Sequence, residues 1–186
     1  MVNGAESYRR YLDGDDRGLS ELVEGYRGGL TLFLNSYVRN IHIAEELTEE
    51  TFFRLITRRP RFSGKSSFQS WLYAIGRHIA VDYLRRHARL TDMSAEEPDA
   101  FRSDEESLET VYIRGERQRL VRGALAKLHP DYRQVLWLTY FEGFSNGEAG
   151  TVLKKNERQM RNLLYRAKQA LKAELEREGY VQDEEQ

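Results

Sequence analysis

The chain contains no cysteine among its 186 residues. That excludes disulfides, thiolate zinc sites and a cysteine nucleophile, and it fits a reducing compartment. Proline occurs only at Pro60, Pro98 and Pro130, each where a helix can start or stop. Long apolar runs are also missing: none approaches the roughly 20 residues needed to cross a bilayer. The opening segment MVNGAESYRRYLDGDD has no apolar core of signal-peptide length. A soluble, cytoplasmic protein with no membrane insertion of its own is therefore expected. Nor does one sign of charge dominate, since 29 Lys and Arg stand against 30 Asp and Glu for a net charge of −1. A uniformly basic nucleic-acid binder is excluded, and any such surface must come from segregated charge.

Helical periodicity fills almost every segment, and no convincing strand is present. From Leu19, the residues Leu22, Val23, Tyr26, Leu30, Phe33, Leu34, Tyr37 and Val38 trace one helix face, which Gly28 and Gly29 are expected to interrupt at about 1 kcal/mol each. A second helix is expected from Ile43 to about Arg58, followed by the polar loop PRFSGKSS. Phe68, Trp71, Leu72, Ile75, Ile79, Tyr83 and Leu84 then mark a long amphipathic helix that ends in a cluster of arginines, with Phe68 and Trp71 facing the core. Asp92, Glu96, Glu97, Asp99, Asp104, Glu105, Glu106 and Glu109 crowd the next stretch, which reads as a solvated tether. A nucleic-acid mimic is the sharper alternative. Structure resumes near Leu108, Pro130 can open a helix as its first residue, Gly143 can end it in the left-handed conformation, and Gly179 can end the last helix. The expected fold is all-α: two small helical domains, 1–90 and 108–178, joined by an acidic linker at 91–107 and followed by a polar tail at 179–186.

The stretch from Ser145 to Lys168, SNGEAGTVLKKNERQMRNLLYRAK, carries the most information. Ser145 with Glu148, and Asn156 with Gln159, each have the spacing of a capping box, so two short helices meet at a turn filled by Lys154 and Lys155. In the second helix Met160, Leu163, Leu164 and Ala167 form a buried stripe. Arg158, Gln159, Arg161, Asn162, Arg166 and Lys168 are left facing outward. These side chains read base edges or grip phosphates, so the pair is a helix-turn-helix candidate.

The order and the local motifs resemble bacterial sigma factors of the sigma-70 family, closest to the compact extracytoplasmic-function (ECF) type that keeps only regions two and four. IAEELTEETFFRLI, Ile43 to Ile56, resembles the family's core-polymerase-binding helix. Ala44, Glu45, Leu47, Glu50 and Phe52 match it, Glu46 stands for an aspartate, and Ile43 and Glu49 replace an acid and a glutamine. RFSGKSSFQSWLYAIGRHIAVDYLRR, Arg61 to Arg86, is similar to the segment that melts promoters and reads the minus-ten element. LAKLHPDYRQVLWLTYFEGFSNGEAG resembles the region-four signature, with His129-Pro130 in place of Pro-Pro and Gly150 in place of alanine. Lys154 sits where the turn often has glycine, so its backbone must avoid the left-handed region or bear strain.

The resemblance implies three surfaces. Ala44, Glu45, Glu46, Leu47, Glu49, Glu50 and Phe52 would bind core RNA polymerase, the acids steering and the apolar groups adding affinity. Phe62, Ser63, Gly64, Lys65, Ser66 and Ser67 would form a pocket for a flipped minus-ten base, with Arg77, His78, Asp82, Arg85 and Arg86 along the strand. Arg158, Gln159 and Asn162 would reach base edges of the minus-thirty-five element, while Lys155, Arg161, Arg166 and Lys168 grip phosphates. His78 and Asp82 are spaced i, i+4, but no further metal ligands are grouped nearby, so neither metal nor cofactor is expected. The implied activity is promoter-specific initiation with core RNA polymerase and promoter DNA as partners, under an anti-sigma factor, and without catalysis of its own. Two rivals remain: a stand-alone helix-turn-helix regulator, and an enzyme built around His42, His78 or His87. No Ser-His-Asp order or phosphate-cradling glycine loop supports the second.

Overall fold

The computed structural model describes residues 3–93 and 116–178, and every regular element among the described residues is a helix. The first bundle comprises α1 (Gly4–Leu12), α2 (Asp16–Val38), α3 (Ile41–Arg58) and α4 (Phe68–Met93). The second comprises α5 (Glu116–Lys127), α6 (Pro130–Leu136), one wider π turn at Trp137–Phe141, α7 (Asn146–Leu153) and α8 (Glu157–Arg177). Most of the expected acidic linker, the renewed structure near Leu108, and Gly179 with its tail lie outside the described residues.

In the first bundle, Leu22, Leu30, Phe33 and Leu34 of α2 pack with Ala44, Leu47 and Leu55 of α3 and with Leu72, Tyr73 and Ile79 of α4. Burying a large apolar side chain contributes about 1.5–3 kcal/mol, so this face holds the three helices together. Polar groups inside it are satisfied locally: the Thr31 and Thr48 hydroxyls meet at 3.0 Å, and Thr51 donates to the Leu47 carbonyl at 2.7 Å. α2 runs unbroken, so the expected interruption at Gly28 and Gly29 does not occur. Tertiary packing outweighs the intrinsic cost of Gly29, whose missing side chain is itself used: a Cβ there would lie 2.6 Å from the Tyr73 hydroxyl. α3 begins at Ile41, before the expected Ile43, because the Asn40 side chain accepts the Ile43 N–H at 3.2 Å and so caps the helix earlier. α4 continues to Met93.

The second bundle encloses Val135, Leu136, Leu138, Ala149, Val152, Met160 and Ala167. Pro130 is the first residue of α6, and His129 Nδ1 accepts the Asp131 N–H. Gly143 takes φ +69° where the chain turns into α7. Both capping boxes form, Ser145 with Glu148 and Asn156 with Gln159. Lys154 does not avoid the left-handed region: it ends α7 at φ 55°, ψ 45° and bears the strain, because its N–H must turn back to the Gly150 carbonyl. The two bundles touch, α4 lying along α7 and α2 against α6.

Candidate nucleic-acid interface

α8 projects one exposed face. Arg158, Arg161, Asn162 and Tyr165 recur on it at i, i+3, i+4 and i+7, with Lys168 one turn further on. Met160 and Ala167 are fully buried on the opposite side and Leu163 and Leu164 pack beside them, so core packing fixes the rotation of the helix. Gln159 is partly committed: its Oε1 accepts the Asn156 N–H at 2.9 Å, which leaves only its amide N–H groups for a base. Arg161 pairs with Glu157 at 2.9 Å, and Lys155 is half-buried beside Asp131 at 3.7 Å. Arg166 and Lys168 are exposed, and Lys168 Nζ lies 5.5 Å from the Tyr140 ring centroid. Tyr165, at 66% exposed, is absent from the residues that the sequence motif singles out. Its place midway along the Arg158–Lys168 face was the available signal.

In the first bundle, Ser63, Gly64, Lys65 and Ser67 are exposed, Ser66 is half-buried, and Gly64 turns the loop at φ +71°. Phe62 is not free: its ring packs on Phe68 at 5.5 Å and Trp71 at 5.3 Å. It therefore anchors the loop from beneath. A second tie is long-range, the Tyr8 hydroxyl donating to the Pro60 carbonyl at 2.8 Å. Tyr8 stacks among Phe68 and Trp71, and burial pushes its pKa up to about 12, so the hydroxyl stays a donor at neutral pH. Along α4, His78, Arg85 and Arg86 are exposed, and Asp82 organises them. Its carboxylate meets His78 at 3.2 Å and Arg85 at 3.9 Å, and its carbonyl accepts from Arg86. Arg77 turns away from this row and is half-buried near Tyr37. Among the described residues no three His, Asp and Glu side chains gather where a metal could sit.

The α3 residues divide by burial. Ala44, Leu47 and Phe52 are buried on the inward stripe of the helix. Glu46 and Glu49 are exposed, Glu45 and Glu50 half-buried, with Glu50 bound to Arg54 at 2.8 Å. Beside these acids, Val23, Arg27, Phe53 and Ile56 line a shallow groove. Phe52 also lines this groove, and beside it Phe53 is 57% exposed and Ile56 41%, so the acids are flanked by accessible apolar surface. Within the doublet Phe52-Phe53 the first ring is buried and the second exposed.

Two all-α bundles, one bearing a twice-capped helix-turn-helix with a cationic outer face, define a DNA-binding protein. Residues 22–90 match the family Sigma-70 region 2, and residues 118–171 match Sigma-70, region 4. The chain is 31% identical over 166 residues to the ECF RNA polymerase sigma factor SigC of Mycobacterium tuberculosis, covering 88% of this chain and 86% of that one. It is 26% identical to the ECF RNA polymerase sigma factor SigM of Bacillus subtilis, covering 83% and 93%. Its fold is similar to that of the sigma factor RpoE from Bartonella quintana, solved in complex with the anti-sigma factor NepR, with a TM-score of 0.71 and 20% identity over 84% of this chain and 96% of that one. The chain belongs to the ECF sigma factors of the sigma-70 family, which direct promoter-specific transcription initiation.

Proposed function

We propose that this sigma factor reads promoters with two surfaces and docks on core RNA polymerase with a third. Residues 1–90 form region 2, 91–107 an acidic tether, 108–178 region 4, and 179–186 a polar tail. Glu46 and Glu49, with Phe53 and Ile56 beside them, bind polymerase. The loop Ser63–Ser67 takes a flipped minus-ten base while Arg85, Arg86 and His78 hold the strand. Arg158, Asn162 and Tyr165 read the minus-thirty-five element, and Arg161, Arg166 and Lys168 grip its phosphates. The protein acts in the cytoplasm and turns over no substrate. A dedicated anti-sigma factor restrains it, a reading supported by similar folds solved with such partners.

The observation that carries the proposal is the exposed α8 face, rotated into place by a buried stripe and capped at its entry. The test is run-off transcription with core polymerase over a promoter pool, comparing the native chain with Arg158→Ala. One lost bidentate base contact amounts to about 1–3 kcal/mol of discrimination. Preference at one upstream position should therefore relax by roughly five- to a hundred-fold while co-elution with core is unchanged. Equal loss on every promoter would make Arg158 a phosphate contact. Failure of the native chain to co-elute with core would remove the polymerase surface.

A further inference from the structure

Charge is segregated within region 2. Between Glu50 and Asp82 the chain has six Lys and Arg and no acid, although acids slightly outnumber bases over the whole chain. Two of the six are committed: Arg54 pairs with Glu50 at 2.8 Å, and Arg77 is half-buried near Tyr37. The other four, Arg58, Arg59, Arg61 and Lys65, are all exposed and crowd the passage from α3 into the base-reading loop. Among the described residues none of the four is ion-paired. The α4 row differs, since the Asp82 carboxylate lies against both His78 and Arg85 and offsets their charge.

The backbone holds these cations out. α3 ends at Arg58, and Pro60 disfavours the right-handed helical region for Arg59. Arg59 takes φ 41°, ψ 54° instead, a left-handed conformation suited to glycine. Arg39 and Lys154 end their helices in the same way, but each turns its N–H back to a carbonyl of its own helix, Asn35 and Gly150. Among the described residues no such bond offsets the strain at Arg59. Its side chain is supported from below, with the guanidinium carbon 5.6 Å from the centroid of the buried Tyr11 ring. The Pro60 carbonyl beside it accepts from Tyr8, so these cations stand on the same α1 support as the loop. Strain retained around an arginine where glycine would relieve it marks the side chain as used.

Position says what it is used for. A strand whose base enters the Ser63–Ser67 loop must carry its neighbouring phosphates over the two rims of that loop. One rim opens α4 at Phe68, and His78, the first member of the α4 row, lies ten residues further on, about 15 Å along the helix. The other rim is Arg58 to Arg61, which abuts the loop directly. The cations nearest to the bound base are therefore unpaired arginines, whose planar forks suit phosphate oxygens.

We propose that Arg58, Arg59 and Arg61, continued by Lys65, form a phosphate-binding crest that grips the single strand beside the flipped minus-ten base. The crest, rather than the α4 row, then carries most of the salt dependence of region 2. The inference rests on the assignment of the loop to that base, and its test separates the two. Binding of a labelled minus-ten single-stranded oligonucleotide to the holoenzyme reconstituted with core polymerase is measured across a salt series. Each phosphate contact on a single strand contributes about 0.7 to the slope of log affinity against log salt. Arg58→Gln, Arg59→Gly and Arg61→Gln should each flatten the slope by up to about 0.7, and the triple variant by roughly 2, with every sequence weakened alike. Glycine adopts φ 41° without strain, so Arg59→Gly keeps the fold. Arg59→Lys, which retains the charge, should restore most of the slope. Arg9→Gln, which removes an exposed cation already paired with Glu6, should leave the slope unchanged.

A slope that ignores all three substitutions would overturn the crest. Weakened co-elution with core polymerase in place of weakened strand binding would overturn it too, because the arginines then face protein. If Arg85→Ala and Arg86→Ala flatten the slope more than the three crest variants do, the salt dependence returns to α4. Exchange of Ser63, Gly64, Ser66 and Ser67 with Lys65 kept is the control, and it should alter base preference at an unchanged slope. If preference ignores that exchange, the loop assignment fails while the slope result stands.

Discussion

The two DNA-facing surfaces are built in opposite ways. In region 4 the reading helix is set by neighbours in sequence: each box pairs residues three apart, and three residues, Lys154 to Asn156, separate the helices. In region 2 the reading loop is set by residues far away. Tyr8 reaches across 52 positions to the Pro60 carbonyl, and Phe62 sits on Phe68 and Trp71. α1 precedes residue 22, where the match to region 2 begins, yet it provides the tie. A surface made of local caps survives damage elsewhere in the chain, whereas a loop held by a distant helix inherits every disturbance of that helix.

The sharpest way to break this comparison is Tyr8→Phe. It keeps the ring on Phe68 and Trp71 but leaves the Pro60 carbonyl without its donor, at a cost of about 1–3 kcal/mol. Run-off transcription over promoters varied at each element should show altered minus-ten preference with the minus-thirty-five profile intact. If both profiles stay unchanged, the loop is positioned by Phe62 alone.

Ser145→Ala is the local counterpart, costing about 1 kcal/mol. Its effect depends on pH through Glu148, whose carboxyl accepts from the Ser145 N–H and hydroxyl and from Ser67, and is therefore held below its ordinary 4.5. A depressed folded pKa means that the contribution is fully present above about 4.5 and is lost as pH falls through the folded value. The melting-temperature gap between native chain and variant should be constant from pH 5 to 7 and narrow below that. It should not vanish, because the bond from the Glu148 N–H to Ser145 Oγ does not titrate. A gap that ignores pH would remove Glu148 from the cap.

This contrast also explains what could be read from the sequence. Periodicity exposes the inward stripes, and capping boxes are short strings, so the helix-turn-helix, Pro130 and Gly143 are legible in the order of amino acids alone. On α3 the motif spans core positions such as Leu47 and Phe52 together with exposed ones such as Glu46 and Glu49, and periodicity separates the two sets. Phe53 and Ile56 were visible only as apolar residues off the stripe. The Tyr8–Pro60 tie and the bonds from Tyr73 to Glu142 and from Arg133 to the Ser36 carbonyl join positions 52 or more apart and leave no periodic trace. Gly29 looked like a helix breaker because the acid that fills its space arrives from the other domain.

The smallest expected effect lies in the turn that separates the two caps. Lys154 holds φ 55° with a full side chain, in a region that costs a non-glycine residue roughly 1–2 kcal/mol. Glycine removes that strain but adds about 0.5–1 kcal/mol of unfolded-state entropy. Lys154→Gly should therefore stabilise region 4 by no more than about 1.5 kcal/mol, read as a small rise in melting temperature. Lys154 is exposed, yet it is Lys155, beside Asp131, that the promoter assignment includes, so affinity for the upstream duplex should not change. A variant that melts higher and binds equally well makes the lysine a tolerated departure in a turn suited to glycine. A variant that binds more weakly gives Lys154 a phosphate, and then strain at the turn accompanies a charge placed where the recognition helix begins.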